Sequence, residues 1–303
     1  MDTVNDGRWV TDGGLETDLI FNHGADLPEF AAFPLVEDDA GAALLESYYS
    51  AYAEIAAAAG AGLLVETPTW RANPDWAARI GYDAAALDRA NRVAVDLVRR
   101  VTERADTDKV LVSGIVGPRG DGYVAGGADP DEAADYHSAQ IASFRAAGVD
   151  LVHVMTMTEP AEAIGVARAA HAERLPVAVS FTVETDGRLP DGTSLRDAVA
   201  QVDAAASPEW YGVNCAHPTH VALALDGGDW QERLVFLRPN TSTMSHEELD
   251  AMEELDAGDL PQLVSSAGDV RDQLPSLRVL GGCCGTDSRH VAAMWGVGPQ
   301  TLT

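Results

Sequence analysis

The chain has 303 residues, enough for one large α/β domain or two modest ones, and its 46% apolar and 22% charged residues are typical of a globular protein. Forty-eight acidic residues against twenty basic ones give a formal net charge of −28, and Lys109 is the single lysine. This acidity argues against nucleic acid and anionic lipid as partners, because phosphate binding requires clustered positive charge. Many Asp and Glu residues with almost no Lys are also typical of adaptation to high salt, although a GC-rich genome would likewise favour Ala and Arg over Lys.

The sequence contains no targeting or membrane signal that we can identify. No apolar run is long enough to cross a bilayer, and the N-terminus lacks the basic and apolar segments of a secretory signal. Three cysteines are too few for a disulfide framework in a chain of this size. We therefore expect a cytoplasmic protein with reduced thiols.

Eight short runs rich in Val, Leu and Ile alternate with longer Ala-rich stretches that favour helix. The predicted strands cover residues 9–11, 62–68, 110–118, 149–156, 176–182, 210–215, 234–240 and 278–285. The predicted helices include residues 40–59, 84–103, 131–147, 161–173 and 194–205. Eight βα repeats with no linker between them predict one domain over residues 1–303, an α/β protein of the (β/α)8 TIM barrel class. A doubly wound open sheet is the alternative.

Polar residues collect at the C-terminal ends of the predicted strands. They are Asp12, Glu66, Thr67, Ser180, Thr182, Asn214, Cys215, Cys283 and Cys284. In a (β/α)8 barrel the active site is built at this end of the strands. Strands commonly end in polar turn residues, but that explanation accounts poorly for two consecutive cysteines.

The three cysteines suggest a metal site. Cys215 ends the sixth predicted strand, and Cys283 and Cys284 end the eighth, so the two strand ends lie roughly 10 Å apart along the rim. Loops that fold over the mouth can bring three sulfur atoms to one ion, and three protein ligands are typical of a catalytic zinc site. On these residues alone, cysteines buried as small apolar side chains remain the alternative.

Two sequence segments support the interpretation of the three cysteines as a metal site. GVNC at residues 212–215 and GGCCG at 281–285 resemble the signature of the homocysteine S-methyltransferase family, whose homocysteine-binding domain is shared with methionine synthases. Similar segments extend over almost the whole chain. They are DGGLET at 12–17, ETPTWRAN at 66–73, the turn at 114–122, SFT at 180–182 and DGTSL at 191–195. The resemblance implies a (β/α)8 barrel with Zn²⁺ held by Cys215, Cys283 and Cys284.

The resemblance also implies a reaction. A small onium donor, S-methylmethionine or S-adenosylmethionine, would give its methyl group to a thiol, with homocysteine converted to methionine. The expected partners are therefore a small thiol and a methyl donor, and the chain leaves no room for a cobalamin domain. The alternatives are the same chemistry on another thiol, or a non-catalytic barrel that binds zinc or thiols. Assembly into a homo-oligomer is left open.

We assign candidate roles to the residues at the strand ends. The candidate catalytic residues are Asp12 and Asn214. The candidate substrate contacts are Gly13, Glu66, Thr67, Ser180, Thr182 and Asn214. Trp70 and Tyr123 follow strand ends and are candidates for an aromatic wall around a cationic donor, with plain packing as the alternative.

One position departs from the family pattern. The family commonly ends its fourth strand in a Glu-Thr pair, whose carboxylate helps to hold the amino group of homocysteine. This chain has Met155-Thr156 there. Glu66, Glu159 and Glu184 are candidates to supply the missing carboxylate; otherwise the acceptor is a thiol other than homocysteine.

Overall fold

Eight parallel strands close into a barrel in the computed structural model, which describes residues 3–252 and 254–298. The strands are β1 (Trp9–Val10), β2 (Gly62–Glu66), β3 (Val110–Val116), β4 (Leu151–Met157), β5 (Val177–Phe181), β6 (Trp210–Asn214), β7 (Leu234–Arg238) and β8 (Val279–Leu280). Their spatial order follows the sequence, and Trp9 pairs with both Gly62 and Val279 to complete the ring. The predicted (β/α)8 barrel is confirmed, and the open sheet is excluded. The predicted domain of residues 1–303 also takes in 1–2, 253 and 299–303, which lie outside the described residues.

Helices connect the strands and form the outer layer. They are α1 (Leu15–Phe21), α2 (Asp39–Ala59), α3 (Pro74–Arg79), α4 (Ala84–Thr102), α5 (Pro130–Ala147), α6 (Pro160–Ala172), α7 (Leu195–Ala205), α8 (Pro218–Ala224), α9 (His246–Asp250), α10 (Leu260–Gln273) and α11 (Ser288–Met294). The five predicted helices correspond to α2, α4, α5, α6 and α7. Within the described ranges, none of the helices has the length and hydropathy needed to traverse a bilayer.

Side-chain caps fix where the predicted helices begin. The Asp129 carboxylate accepts hydrogen bonds from the backbone N–H groups of Asp131 and Glu132 at the start of α5. The Ser194 hydroxyl accepts one from the backbone of Asp197 at the start of α7. Both residues satisfy N–H groups that a helix leaves unpaired at its first turn.

Alternate residues of each strand face the barrel interior and form layers of different polarity. The layer at the N-terminal ends of the strands is apolar and buried, with Trp9, Leu64, Leu111, Leu151, Ala178, Trp210 and Val279. The next layer contains buried polar side chains, among them Glu66, Ser113, His153 and Ser180. The polar groups of the interior therefore lie in its upper half, directly beneath the C-terminal mouth.

Candidate metal centre and active-site cavity

Three cysteine sulfur atoms meet at the mouth of the barrel. The Sγ atoms of Cys215, Cys283 and Cys284 all lie within 4.8 Å of one another. The Cys215 Sγ is 2.7 Å from the Cys283 Sγ and 3.5 Å from the Cys284 Sγ, and all three thiols are free. In the described part of the chain this is the only group of three or more His, Cys, Asp or Glu side chains arranged to hold a metal ion. The predicted convergence of the three sulfur atoms is confirmed.

The donor set fits a divalent zinc-type ion. Zn–S bonds of about 2.3 Å in a tetrahedral site separate the sulfur atoms by about 3.8 Å. The spacing from Cys215 to Cys284 is close to this value, and a small movement of the Cys283 side chain accommodates the other pair. Three thiolates suit a soft or borderline ion, and three protein ligands are the number found in catalytic zinc sites.

Backbone conformation brings the three sulfur atoms together. Cys215 has a φ of 58°, a left-handed conformation that is uncommon for a non-glycine residue, and this turns the chain directly after β6. Gly285, with a φ of 80°, turns the chain behind the cysteine pair at no steric cost. The Cys283 N–H donates to the Pro239 carbonyl over 2.8 Å, which joins the loop after β8 to the loop after β7.

The surroundings of the sulfur cluster favour the thiolate form of Cys283. Hydrogen bonds from Cys215 and Cys284, assisted by the Arg238 guanidinium, hold the pKa of Cys283 well below its usual value. The Tyr123 hydroxyl lies 3.5 Å from the Cys215 Sγ and 3.7 Å from the Cys284 Sγ. Burial raises the pKa of Tyr123 well above its ordinary value, so this hydroxyl keeps its proton and can donate it to a thiolate.

A buried arginine joins three strand ends beneath the sulfur cluster. Arg238 is 4% exposed, forms an ion pair with Glu66, and places Nη2 2.8 Å from Asp12 Oδ1. It also donates to the carbonyls of Gly13 and Gly282, each over 2.9 Å. Burial raises the pKa of Asp12, although Arg238 opposes the shift. The two candidate carboxylates Asp12 and Glu66 are thus held by a cation that the sequence analysis did not identify.

A chain of hydrogen bonds continues from Glu66 across the barrel. Glu66 Oε1 lies 2.5 Å from His153 Nδ1, and His153 Nε2 lies 2.7 Å from the Ser180 hydroxyl. Burial lowers the pKa of His153 to about 3, so the imidazole is neutral and has one N–H. That N–H is best placed on Nδ1, where it donates to the carboxylate, while Nε2 accepts from Ser180. Ser180 is therefore engaged inside the barrel and does not line the cavity.

Asn214, at the end of β6, is hydrogen-bonded to Thr156 near the end of β4, two strands away in the barrel. Its Oδ1 accepts from the Thr156 N–H over 2.7 Å, and its Nδ2 donates to the Thr156 hydroxyl over 2.8 Å and lies 3.8 Å from the Cys283 Sγ. Thr156 has a φ of 62°, so these bonds hold an uncommon backbone conformation beside the sulfur cluster. The Thr182 hydroxyl donates to the Cys215 carbonyl over 3.1 Å, and Thr182, like Ser180, does not line the cavity.

A cavity of about 350 Å³ opens beside the sulfur atoms, a size that suits small molecules. The predicted site residues that line it are Asp12, Gly13, Glu66, Thr67, Asn214, Cys215, Cys283 and Cys284. Trp70 and Tyr123 line it as well. Its apolar wall consists of Leu15, Phe21, Phe30, Ile115, Met155, Leu249, Met252 and Leu255.

The structure limits which carboxylate can replace the one that the family commonly has at the position of Met155. Met155 itself lines the cavity. Glu159 accepts backbone hydrogen bonds in the loop before α5, and Glu184 lies 2.8 Å from His246 Nδ1; neither lines the cavity. Glu66 does line it but is paired with Arg238.

Sequence reasoning missed six charged residues of the cavity wall: Glu16, Arg71, Asp121, Arg238, Glu254 and Asp256. Glu16 and Arg71 lie inside the segments DGGLET and ETPTWRAN, where no role was given to them. Arg238 ends the otherwise apolar run LVFLR, and a charge at the C-terminal end of a buried strand was a usable signal. Burial raises the pKa of Glu16 to about 7.

Comparison with known proteins places this site in a family. The model of the family described as homocysteine S-methyltransferase matches residues 9–296. The chain belongs to the homocysteine S-methyltransferase family. The homocysteine S-methyltransferase of Escherichia coli (strain K12) is 28% identical over 251 residues, which are 75% of this chain and 77% of that protein.

Solved structures agree with this membership at the level of the fold. The metallated form of the homocysteine methyltransferase MmuM from Escherichia coli has a TM-score of 0.72 at 23% identity, with 97% of each chain covered. The oxidized form of the same protein has a TM-score of 0.76 at 22% identity, with 96% of each chain covered. The predicted family and fold are confirmed. As a member of the homocysteine S-methyltransferase family the chain is a methyltransferase with small-molecule substrates, and a non-catalytic barrel is not favoured.

Proposed function

We propose that this chain is a Zn²⁺-dependent homocysteine S-methyltransferase that forms methionine with a methyl group from S-methylmethionine or S-adenosylmethionine. The observation that carries the proposal is the meeting of the Cys215, Cys283 and Cys284 sulfur atoms at a small, largely apolar cavity. We assign the three cysteines as the metal ligands. Because these free thiols must stay reduced to bind metal, we place the protein in the cytoplasm, within methionine biosynthesis.

The reaction transfers one methyl group and releases the proton of the acceptor thiol to solvent. When bound, Zn²⁺ would lower the pKa of an incoming thiol, so that the acceptor reacts as a thiolate. The acceptor sulfur forms a bond to the methyl carbon while the bond from that carbon to the onium atom breaks. The electron pair of the broken bond stays on the donor, which leaves as a neutral molecule.

The chain's own groups stabilise negative charge at the sulfur cluster. Arg238 lowers the pKa of Cys283, the Asn214 amide lies 3.8 Å from the Cys283 Sγ, and the Tyr123 hydroxyl lies near the other two sulfur atoms. Donors of this kind are effective where water is excluded. Since the cluster lies against an apolar wall, we expect these groups to keep the thiolates in place during turnover.

Two groups of polar residues have different roles in this proposal. Asp12 and Asn214 are the proposed catalytic residues, which orient the acceptor from the cavity floor, and Gly13, Glu66 and Thr67 are proposed substrate contacts. Ser180 and Thr182 lie behind that surface, so we assign them positioning roles. Ser180 acts through His153, and Thr182 through the Cys215 carbonyl.

The wall of the cavity suits a cationic donor. Trp70 and Tyr123 present aromatic surface to the cavity, and aromatic rings attract onium groups. The apolar side chains around them exclude water, which would otherwise compete for a reactive methyl group.

A second acceptor is favoured by one observation. Met155 lies in the cavity wall where the family commonly has a carboxylate, so a thiol without an amino group is the alternative substrate. Turnover with homocysteine, cysteine and 3-mercaptopropionate, each with both donors, separates the two. A higher kcat/KM for 3-mercaptopropionate than for homocysteine would support the second acceptor.

Metal content and turnover of one variant test the proposal. We expect about one zinc per chain in reduced protein supplied with zinc, and loss of both zinc and turnover, by at least about a hundredfold, in Cys215→Ala. Ser138→Ala, on the exposed side of α5, is the control and should match the parent protein. Full turnover by Cys215→Ala, or by the parent protein after chelation, would contradict the proposal.

A further inference from the structure

Arg71 lies in the wall of the active-site cavity, in the segment between β2 and α3. Its guanidinium carbon is 3.5 Å from the centroid of the Trp76 ring and 4.6 Å from that of Trp70. Two aromatic faces therefore hold the planar guanidinium in one orientation, which lowers the entropy lost when it binds an anion.

The hydrogen-bonding capacity of Arg71 is not used within the described chain. Its Nε and Nη1 atoms are buried and have no hydrogen-bond partner among the described residues. No described carboxylate lies within ion-pair distance, whereas the nearby Arg79 and Arg119 pair with Glu29 and Asp75 at 3.1 and 2.8 Å. A buried charged donor without a partner is costly, so an unpaired arginine in a cavity wall indicates a site for an anionic ligand.

Arg238 cannot take that role. Among the described residues that line the cavity, Arg71 and Arg238 are the only cations. Arg238 is already engaged by Asp12, Glu66 and two backbone carbonyls. Arg71 is therefore the cation of this cavity that has donors to offer a substrate.

Glu16 supplies the opposite charge in the same wall. It lies in the first turn of α1, lines the cavity, and has no cationic side chain within ion-pair distance in the described chain. Asp121 and Glu16, both in the cavity wall, act on Arg71 through space, Asp121 more strongly, yet neither carboxylate forms an ion pair with Arg71. A carboxyl group and a guanidinium, neither of them ion-paired, thus line the same cavity.

We infer that Arg71 and Glu16 bind the α-carboxylate and the α-ammonium group of an amino-acid substrate in this cavity. The inference rests on the proposed function, because that reaction brings amino acids to the site. Glu16, on α1, then supplies the carboxylate that the family commonly has at the position of Met155 on β4. The acceptor homocysteine and a methionine-derived donor both carry an α-carboxylate and an α-ammonium group, so either could bind to Arg71 and Glu16. The experiments below determine which of the two substrates binds there.

Steady-state kinetics of Arg71→Gln and Glu16→Gln test the inference. Loss of a charge-assisted contact should raise KM roughly tenfold to a hundredfold for the substrate that is bound there, with little change in kcat. A rise in KM for homocysteine identifies the acceptor, and a rise for S-methylmethionine identifies the donor. Arg79→Gln is the matched control, because Arg79 stacks on the same Trp76 ring but does not line the cavity.

Substrate analogues assign each group to its residue. For the acceptor these are 3-aminopropane-1-thiol, which lacks the carboxylate, and 4-mercaptobutanoate, which lacks the amine; for the donor they are the corresponding dimethylsulfonium compounds. Arg71→Gln should not change the KM of the analogue without the carboxylate, and Glu16→Gln should not change that of the analogue without the amine. Arg71→Lys, which keeps the charge, should recover part of the lost affinity.

Direct binding separates this inference from the proposed function. Calorimetric titration with homocysteine and with S-methylmethionine requires no turnover. Weaker binding of one of them to Arg71→Gln than to Arg79→Gln supports the inference even if the parent protein transfers no methyl group. Equal binding of both ligands to the two variants, at equal unfolding midpoints, overturns it whether or not the protein is active.

Discussion

Arg233 and Arg238 lie at the two ends of β7 and differ in what they contribute to stability. Arg233 directly precedes the strand, is 33% exposed, and pairs with Asp203 over 2.6 Å. Arg238 ends the strand, is 4% exposed, and is paired with Asp12 and Glu66. Removing one partner of a buried ion pair leaves an uncompensated charge, whereas an exposed pair contributes little.

Arg238→Met should therefore destabilise the barrel strongly. The substitution leaves the Asp12 and Glu66 carboxylates buried without a cation, which costs about 3–5 kcal/mol of unfolding free energy. Both carboxylates would then favour their protonated forms. The difference in unfolding free energy between the parent protein and Arg238→Met should therefore become smaller as the pH falls. Urea unfolding at pH 7 and pH 5 measures both effects.

Arg233→Met is the control for this variant, with an expected cost of about 1 kcal/mol or less. If the two substitutions lower the unfolding free energy equally, the buried network does not have the role that its geometry indicates. A loss of turnover in Arg238→Met that exceeds the loss of folded protein would show that the arginine also acts on the thiolates.

The sequence predicted the residues of the candidate active site better than the hydrogen bonds and ion pairs among them. The three cysteines were identified because they lie at strand ends, two of them consecutive and flanked by glycines, a pattern that ordinary turns do not explain. Arg238, His153 and Glu16 were missed because their significance depends on which side chains meet inside the closed barrel and at its mouth. Hydrogen bonds such as the one from Ser180 to His153 join positions 27 residues apart, and no local pattern encodes them.

Helix α11 shows how the loop after β8 is anchored. Asp287, three residues beyond Cys284, caps this helix by accepting from the backbone N–H groups of Arg289 and His290. Its carboxylate also lies 2.8 Å from His290 Nδ1 and 2.5 Å from Arg289 Nη2. Burial disfavours the charge, but the bonds to His290 and Arg289 outweigh burial and hold the pKa of Asp287 well below its usual value.

Asp287→Ala should lower the unfolding free energy by about 1–2 kcal/mol at pH 7, because it removes a cap and its ion pairs. A carboxylate whose pKa is lower in the folded protein stabilises above its unfolded value of 3.8 and loses this contribution as the pH falls through the folded pKa. The difference between parent and variant should therefore be constant from pH 7 to 5 and shrink below about pH 4. Urea unfolding across this range gives the measurement.

Asp129→Ala makes a useful comparison, since Asp129 caps α5 without an ion pair and should cost about 1 kcal/mol. If the difference in unfolding free energy between the parent protein and Asp287→Ala grows on acidification, the ionised Asp287 cap is not the cause of that difference.

Elements with a strong local pattern were predicted well from the sequence. The eight strands and the helices α2, α4, α5, α6 and α7 were recognised because apolar runs and cap residues specify them locally. Short helices such as α1 and α11 were not, because seven residues leave little periodicity to detect. Both lie in loops at the mouth, where tertiary contacts rather than propensity fix the backbone.

The charge of the protein is strongly unbalanced. The net charge of −28 leaves most acidic side chains without a cation, although exposed pairs such as Arg92–Asp88 and Arg168–Asp131 do form. Salt acts on these two features in opposite directions. It weakens the isolated pairs, each worth at most about 1 kcal/mol, and it relieves repulsion among the unpaired carboxylates.

Repulsion should dominate, so sodium chloride should stabilise this protein. Raising its concentration from 0.05 to 1 M shortens the screening length from more than 10 Å to about 3 Å, and a gain of about 1–2 kcal/mol corresponds to a rise of roughly 2–8 °C in Tm. Thermal unfolding at pH 7.5 measures the shift, and the same titration at pH 5 is the control, because protonation of carboxylates there reduces the repulsion. A Tm that falls with salt at pH 7.5 would mean that the ion pairs outweigh the excess negative charge. A rise of equal size at both pH values would instead indicate exclusion of salt from the protein surface.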